Sequence, residues 1–163
     1  MSKTFRTWRE IEDYVKKQID DCLDKEVAKL VKEEIMTSIS TEVYGAGTPV
    51  EYVRRGGNPY GGMGNPVGTG SLADINEMSH TVKNGELFVT DDAKRNPDYK
   101  DAGTGYDTNK SLAENIAFGY GDRSEWYNKP RNFIADAVKN MKDSNSVVEI
   151  LKEALENRGF RVI

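Results

Sequence analysis

The sequence predicts a mixed α/β (α+β) chain with a long N-terminal helix, a small antiparallel sheet, C-terminal helices and a long Gly/Pro-rich loop. Three observations carry this reading. One apolar stripe recurs at three- and four-residue steps through the first forty residues, which is the pattern of a single helix face. An Asn84-Gly85 pair separates two short alternating runs, the signature of a two-residue hairpin. Further helical periodicities with start and stop signals follow residue 130.

The first helix is expected over residues 7–40. Thr7 with Glu10 three positions later forms a capping box, in which each side chain reaches an amide the helix leaves unpaired. Trp8, Ile11, Val15 and Ile19 open the stripe, and Cys22, Leu23, Val27, Leu30, Val31, Ile35 and Ile39 continue it, with mixed charge on the opposite face. At roughly 1.5 Å per residue such a helix measures about 51 Å. A chain of this length folds into a globule roughly 40 Å across. Neither Pro nor Gly lies inside the segment to bend it. The helix is therefore expected to protrude, and its stripe to need a partner.

Residues 45–70 change character, with nine of the fifteen glycines and Pro49, Pro59 and Pro66. So little burial cannot offset the entropy of ordering, so this stretch is expected to be an extended loop or arm that orders on a partner. The β-hairpin is expected over 78–91, where Ser79, Thr81 and Lys83 alternate with His80 and Val82 and Glu86 to Thr90 answer across the turn. Residues 91–107 are polar and turn-rich, and Leu112, Ala113, Ile116 and Ala117 mark a short helix. The C-terminal helices are expected over 130–158. Pro130 stands as first helical residue, Asp143-Ser144-Asn145 as a break, Ser146 with Glu149 as a second capping box, and Gly159-Phe160 as a left-handed stop with its apolar latch. The tail 160–163 is a candidate last strand.

Residues 1–163 amount to a single domain. Leu, Ile, Val and Phe supply only 34 residues, so the core is thin and assembly with neighbours is a natural source of the missing burial. No apolar run is long enough for a membrane span or a secretory leader, so a soluble protein of intracellular origin is expected. One cysteine, Cys22, cannot close an internal disulfide, and with only His80 beside it no Cys/His metal cluster can be built.

The chemistry-bearing patterns are weak. Gly61-Gly62-Met63-Gly64 and Gly68-Thr69-Gly70 lack the Gly-Lys-Ser/Thr ending of a phosphate loop. His80 with Ser79, Asp91 and Asp92 would be the centre of a hydrolase, but strand neighbours point to opposite faces. Asp91, Asp92, Asp98, Asp101 and Asp107 do not follow the order of a calcium loop. No cofactor, metal or catalytic residue is assigned, and the chain is not expected to be an enzyme. Tyr, Trp and Arg are enriched at interfaces, which makes Tyr52, Arg54, Arg55, Tyr60, Arg123 and Trp126 candidate partner contacts, beside Trp8, Ile11, Val15 and Ile19 on the helix stripe. Arg54 and Arg55 also support an alternative, a small nucleic-acid-associated regulator, against a net charge of −4.

The order of these segments resembles the neck proteins of tailed bacteriophages, the head–tail joining and tail-completion type of phages and prophages of Gram-positive hosts. The resemblance lies in the amphipathic first helix, Val43-Tyr44, Glu51-Tyr52-Val53-Arg54-Arg55-Gly56-Gly57, Gly61-Gly62-Met63-Gly64-Asn65-Pro66 and the hairpin. It continues in Leu112-Ala113-Glu114-Asn115-Ile116, Gly119-Tyr120-Gly121, Lys129-Pro130-Arg131-Asn132-Phe133-Ile134 and Ala154-Leu155 to Gly159-Phe160, with a departure at Asn132, where a second proline is common. It implies a long helix packed on a small antiparallel sheet, and a homo-oligomeric ring in the virion, assembled in the host cytoplasm. The implied partners are further copies of the chain, the portal or adaptor, and tail proteins. DNA would only pass through the lumen, and no membrane is involved.

Overall fold

The computed structural model describes residues 4–45, 72–93, 112–118 and 130–162. One helical run extends from Trp8 to Tyr44. It comprises α1 (Trp8–Cys22), a first π segment (Leu23–Val27), α2 (Ala28–Ser38) and a second π segment (Ile39–Tyr44). After a short 3₁₀ turn at Ile75–Glu77 come β1 (Met78–Lys83) and β2 (Glu86–Asp91), then α3 (Leu112–Phe118), α4 (Phe133–Ser144) and α5 (Ser146–Asn157). The fold is mixed α/β, as the sequence predicts.

The long helix begins where Thr7 places it, its Oγ1 accepting the Glu10 amide at 3.2 Å. The return bond differs from a simple capping box, because Glu10 Oε2 takes the amide of Arg6 at 2.7 Å. The helix ends four residues later than expected. Thr37, Ser40 and Thr41 each donate their hydroxyl to the carbonyl four residues back, a habit that bends helices, and the second π segment closes with Gly45 N–H on Ser40 O. A Cβ at Gly45 would stand 2.5 Å from Thr41 O, so glycine is required at that end.

The hairpin has the expected register, with Lys83 facing Glu86 and His80 facing Val89. Asn84 and Gly85 both take positive φ, 55° and 79°, as a turn matched to strand twist demands. Met78, His80, Val82, Leu87, Val89 and Asp91 form its inner face, against the first π segment and α2.

α4 lies along α2, and α5 along α1 and the first π segment. Arg131, before α4, donates to the carbonyl of Val43 at 2.9 Å, while Phe160, beyond α5, stacks on Tyr14. The α4–α5 pair therefore runs antiparallel to the long helix over most of its length. That corrects the expected protrusion in part, since the C-terminal helices lie along the stripe and bury it from Cys22 onward, while Ile11, Val15 and Ile19 are only half-covered and Trp8 stays exposed. The main core joins Ile39, Val43, Leu72, Ala73, Met78, Ala93, Ala113, Ala117 and Phe133.

Three further expectations are corrected at the C-terminus. α4 starts at Phe133 rather than Pro130, because Asn132 Oδ1 accepts the Ala135 amide at 3.1 Å and so fixes the cap. Ser146 and Glu149 do not form a capping box, since the carbonyl of Asn145 takes the amides of both Val148 and Glu149. Residues 160–162 form no strand. The α5 stop does have the expected form. Gly159 sits at φ 87°, its amide bonds Glu156 O, and the Phe160 amide bonds Leu155 O. The expected loop 45–70 lies, beyond Gly45, outside the described residues.

Candidate assembly surface

The first π segment is where the elements meet. Its wider turn is closed by the Ala28 amide on Leu23 O, and it absorbs one extra residue, so that Cys22 before it, Leu23 and Val27 within it and Ala28 after it all point inward. Three carboxylates on or beside this turn each hold a different part of the chain. Asp20 Oδ1 accepts the Gly85 amide at 3.1 Å. Asp24 Oδ1 faces His80 Nε2 at 3.3 Å. Glu26 receives Arg158 Nη2 on both oxygens, at 2.9 and 3.0 Å, while Arg158 Nη1 bonds Ala154 O. The Glu26 hydrogen bond holds the guanidinium more firmly protonated than usual. Burial pushes the thiol of Cys22 up.

The grip on the long helix is uneven. α4 sends Phe133, Ala137 and Met141 into the core, but of α5 only Ala154 is fully buried. Val147, Ile150, Leu151 and Leu155 are half-covered, and Val148 is 58% exposed. Under α5, Ile11, Val15 and Ile19 are half-buried, and Tyr14 is flanked by Phe5 and Phe160 with ring centroids 5.2 and 6.0 Å away. Trp8 stands 81% exposed at the tip. Phe88 on the outer face of the hairpin and Phe118 at the end of α3 are also open to solvent.

Of the candidate contact residues, the stripe group is thus divided between one free anchor, Trp8, and three half-covered side chains. Tyr52, Arg54, Arg55, Tyr60, Arg123 and Trp126 lie outside the described residues. Arg131, Asn132 and Phe133 take structural duties, closing the long helix, capping α4 and filling the core. His80 and Ser79 point to opposite faces. His80 meets Asp24, while Ser79 Oγ donates to Asp92 Oδ2 at 2.6 Å. A nucleophile–base–acid chain through these residues is not assembled.

One buried acid escaped the sequence reading. Asp91 ends β2 on the inner face opposite Met78. Its Oδ1 accepts the Ala93 amide at 2.9 Å, whereas Oδ2 is buried with no hydrogen-bond partner among the described residues. Burial raises its carboxyl to about 6, with Asp92 and Glu77 adding repulsion against the opposing pull of the Ala93 amide. The sequence signal was its place at an inward position of the hairpin alternation.

Among the described residues no cluster of His, Cys, Asp and Glu is arranged to hold a metal, and no helix is long and apolar enough to cross a membrane. Comparison with curated proteins and with solved structures found no match. The sequence model of one family does match, over residues 7–157, from the Thr7 cap to the last turn of α5. The chain belongs to the YomN family and is a phage-related protein.

Proposed function

We propose that this phage-related chain is a structural component of the virion neck, of the head–tail joining or tail-completion type, without catalytic activity. It forms a homo-oligomeric ring between the portal or capsid vertex and the tail, and docks portal, adaptor or tail proteins. The observation that carries the reading is the placement of large apolar side chains. Trp8, Phe88, Phe118 and Val148 stand exposed on four separate elements of a chain with little apolar residue to spare. Head-to-tail ring contacts are heterologous, so each copy needs different patches for its two neighbours. Exposed aromatics are the anchors such contacts use. The net charge of −4 lets DNA pass a lumen without adhering.

The test is light scattering with negative-stain microscopy at high protein concentration, alone and mixed with the proteins of the adjacent portal and tail genes. A closed ring in either condition is expected. A monomer in every mixture would contradict the reading.

A further inference from the structure

α4 and α5 are joined by one residue, Asn145, held in the left-handed conformation at φ 56° and ψ 18°. α5 starts with no side-chain cap, and Ser146 Oγ is buried there with no partner among the described residues. Among the same residues, its ion pair and ring contact with the long helix lie at the far end, where Arg158 holds Glu26 and Phe160 stacks on Tyr14. A weakly buried helix on a single-residue hinge, with its recognition groups at the tip, is built like an arm that can be exchanged between identical chains.

We propose that α5 with Arg158–Phe160 is an exchangeable arm, seated on its own long helix in the isolated chain and on the long helix of a second copy in the assembled protein. The occupant is a second copy because the receiving surface is already matched to α5. It offers the half-covered Ile11, Val15 and Ile19 to the apolar face of α5, the Glu26 carboxylate to a guanidinium, and the Tyr14 ring to Phe160. Each contact of α5 with the long helix is available between two chains, and what changes is the link at Asn145 with the contacts of α5 to its own α4. Turning Asn145 to the right-handed region would continue α4 into α5 as one helix and so change the direction in which α5 leaves α4. Exchange from each copy to the next is heterologous and extends until a ring closes. The purpose of the arm rests on the neck reading. The exchange itself is measured without portal or tail proteins, so failure of one leaves the other standing.

Two full-length variants test it, Glu26→Arg and Arg158→Glu. Each alone sets like charges at the arm's tip, whether the arm is seated at home or on an identical copy. In a one-to-one mixture the arm of the Glu26→Arg chain keeps Arg158 and meets Glu26 on the other chain, and the reverse contact is again of opposite sign. Native mass spectrometry with one chain isotope-labelled counts mixed species. Amide hydrogen exchange of α5 reads seating, because the two substitutions themselves change the charge beside the Cys22 thiol and with it the thiol's reactivity. The expected result is α5 exchanging at least tenfold faster in each variant alone, and mixed oligomers with slowly exchanging α5 on combination. Absence of mixed species, with α5 exchanging as fast as in the separate solutions, overturns the proposal. Should either variant fail to fold by circular dichroism, Asn145→Ala and Asn145→Gly decide. Alanine resists positive φ and glycine accepts it, so at equal concentration the alanine chain should hold at least three times the oligomeric fraction. Equal fractions overturn the exchange.

Discussion

The two halves of the long helix carry similar apolar stripes and opposite degrees of closure. From the first π segment to Val43 the stripe meets α4, the hairpin and α3, and Ile39 and Phe133 are sealed from solvent. From Trp8 to Ile19 its main neighbour among the described residues is α5, and of α1 Cys22, at its boundary, is the one fully buried residue. The same pattern of residues thus yields a solid end and a lightly held end, and the difference is how many elements converge. Burial of apolar surface supplies most of the folding free energy, so the solid end sets the stability and the other end contributes less to it.

The largest effect should separate the halves directly. Phe133→Ala empties a sealed site and is expected to cost about 3–5 kcal/mol in urea unfolding, while Leu151→Ala under the half-covered face of α5 should cost only about 1–2 kcal/mol, because partial burial is lost. Equal losses would erase the distinction.

Asp91 gives the solid end an internal penalty with a definite sign. Its folded carboxyl titrates near 6, above the ordinary 3.8. The folded state therefore binds more protons between those values, and stability falls as pH rises from about 4 past 6. Above pH 7 the whole penalty applies. Asp91→Asn should stabilise the protein by about 2–3 kcal/mol at pH 7.5 and make almost no difference at pH 3.5. Denaturation midpoints at the two pH values check this, and a destabilised variant at pH 7.5 would refute the buried, unpaired oxygen.

Smaller effects belong to the lightly held end. Thr7→Ala removes the cap of α1 and should cost about 0.5–1 kcal/mol, visible as lost helicity in α1 before the main unfolding transition. Trp8→Ala should change stability by less than about 0.5 kcal/mol, since the ring is exposed. In the ring assay it should lower the assembled fraction, and an unchanged assembly would remove Trp8 from the interface.

Much of this arrangement was legible in the residues. Asn84-Gly85 fixed the hairpin and its register, Thr7 the start of the first helix, and Gly159-Phe160 the end of the last, because each motif acts within a few residues. The π segments were not read, and with them went the expectation of a straight, protruding rod. Their signal was present. Cys22 and Val27, and likewise Leu23 and Ala28, are buried pairs five apart, a spacing that suits the π turn rather than the α period. Asn132 outranked Pro130 as the helix start because a side-chain oxygen can pair an orphan amide and a proline ring cannot. The Glu26–Arg158 and Val43–Arg131 contacts join residues 132 and 88 positions apart, and no local pattern announces such pairs. For the assembly surface, the stripe was found, but its cover by α5 became visible only in three dimensions.

Amide hydrogen exchange of the intact monomer, followed residue by residue, tests the central contrast most directly. α5 and α1 should exchange at least tenfold faster than α2 and α4 through an opening smaller than global unfolding, with Cys22 reacting in step with α5. If all four helices exchange together with one common opening free energy, the protein has no lightly held end and the account is wrong.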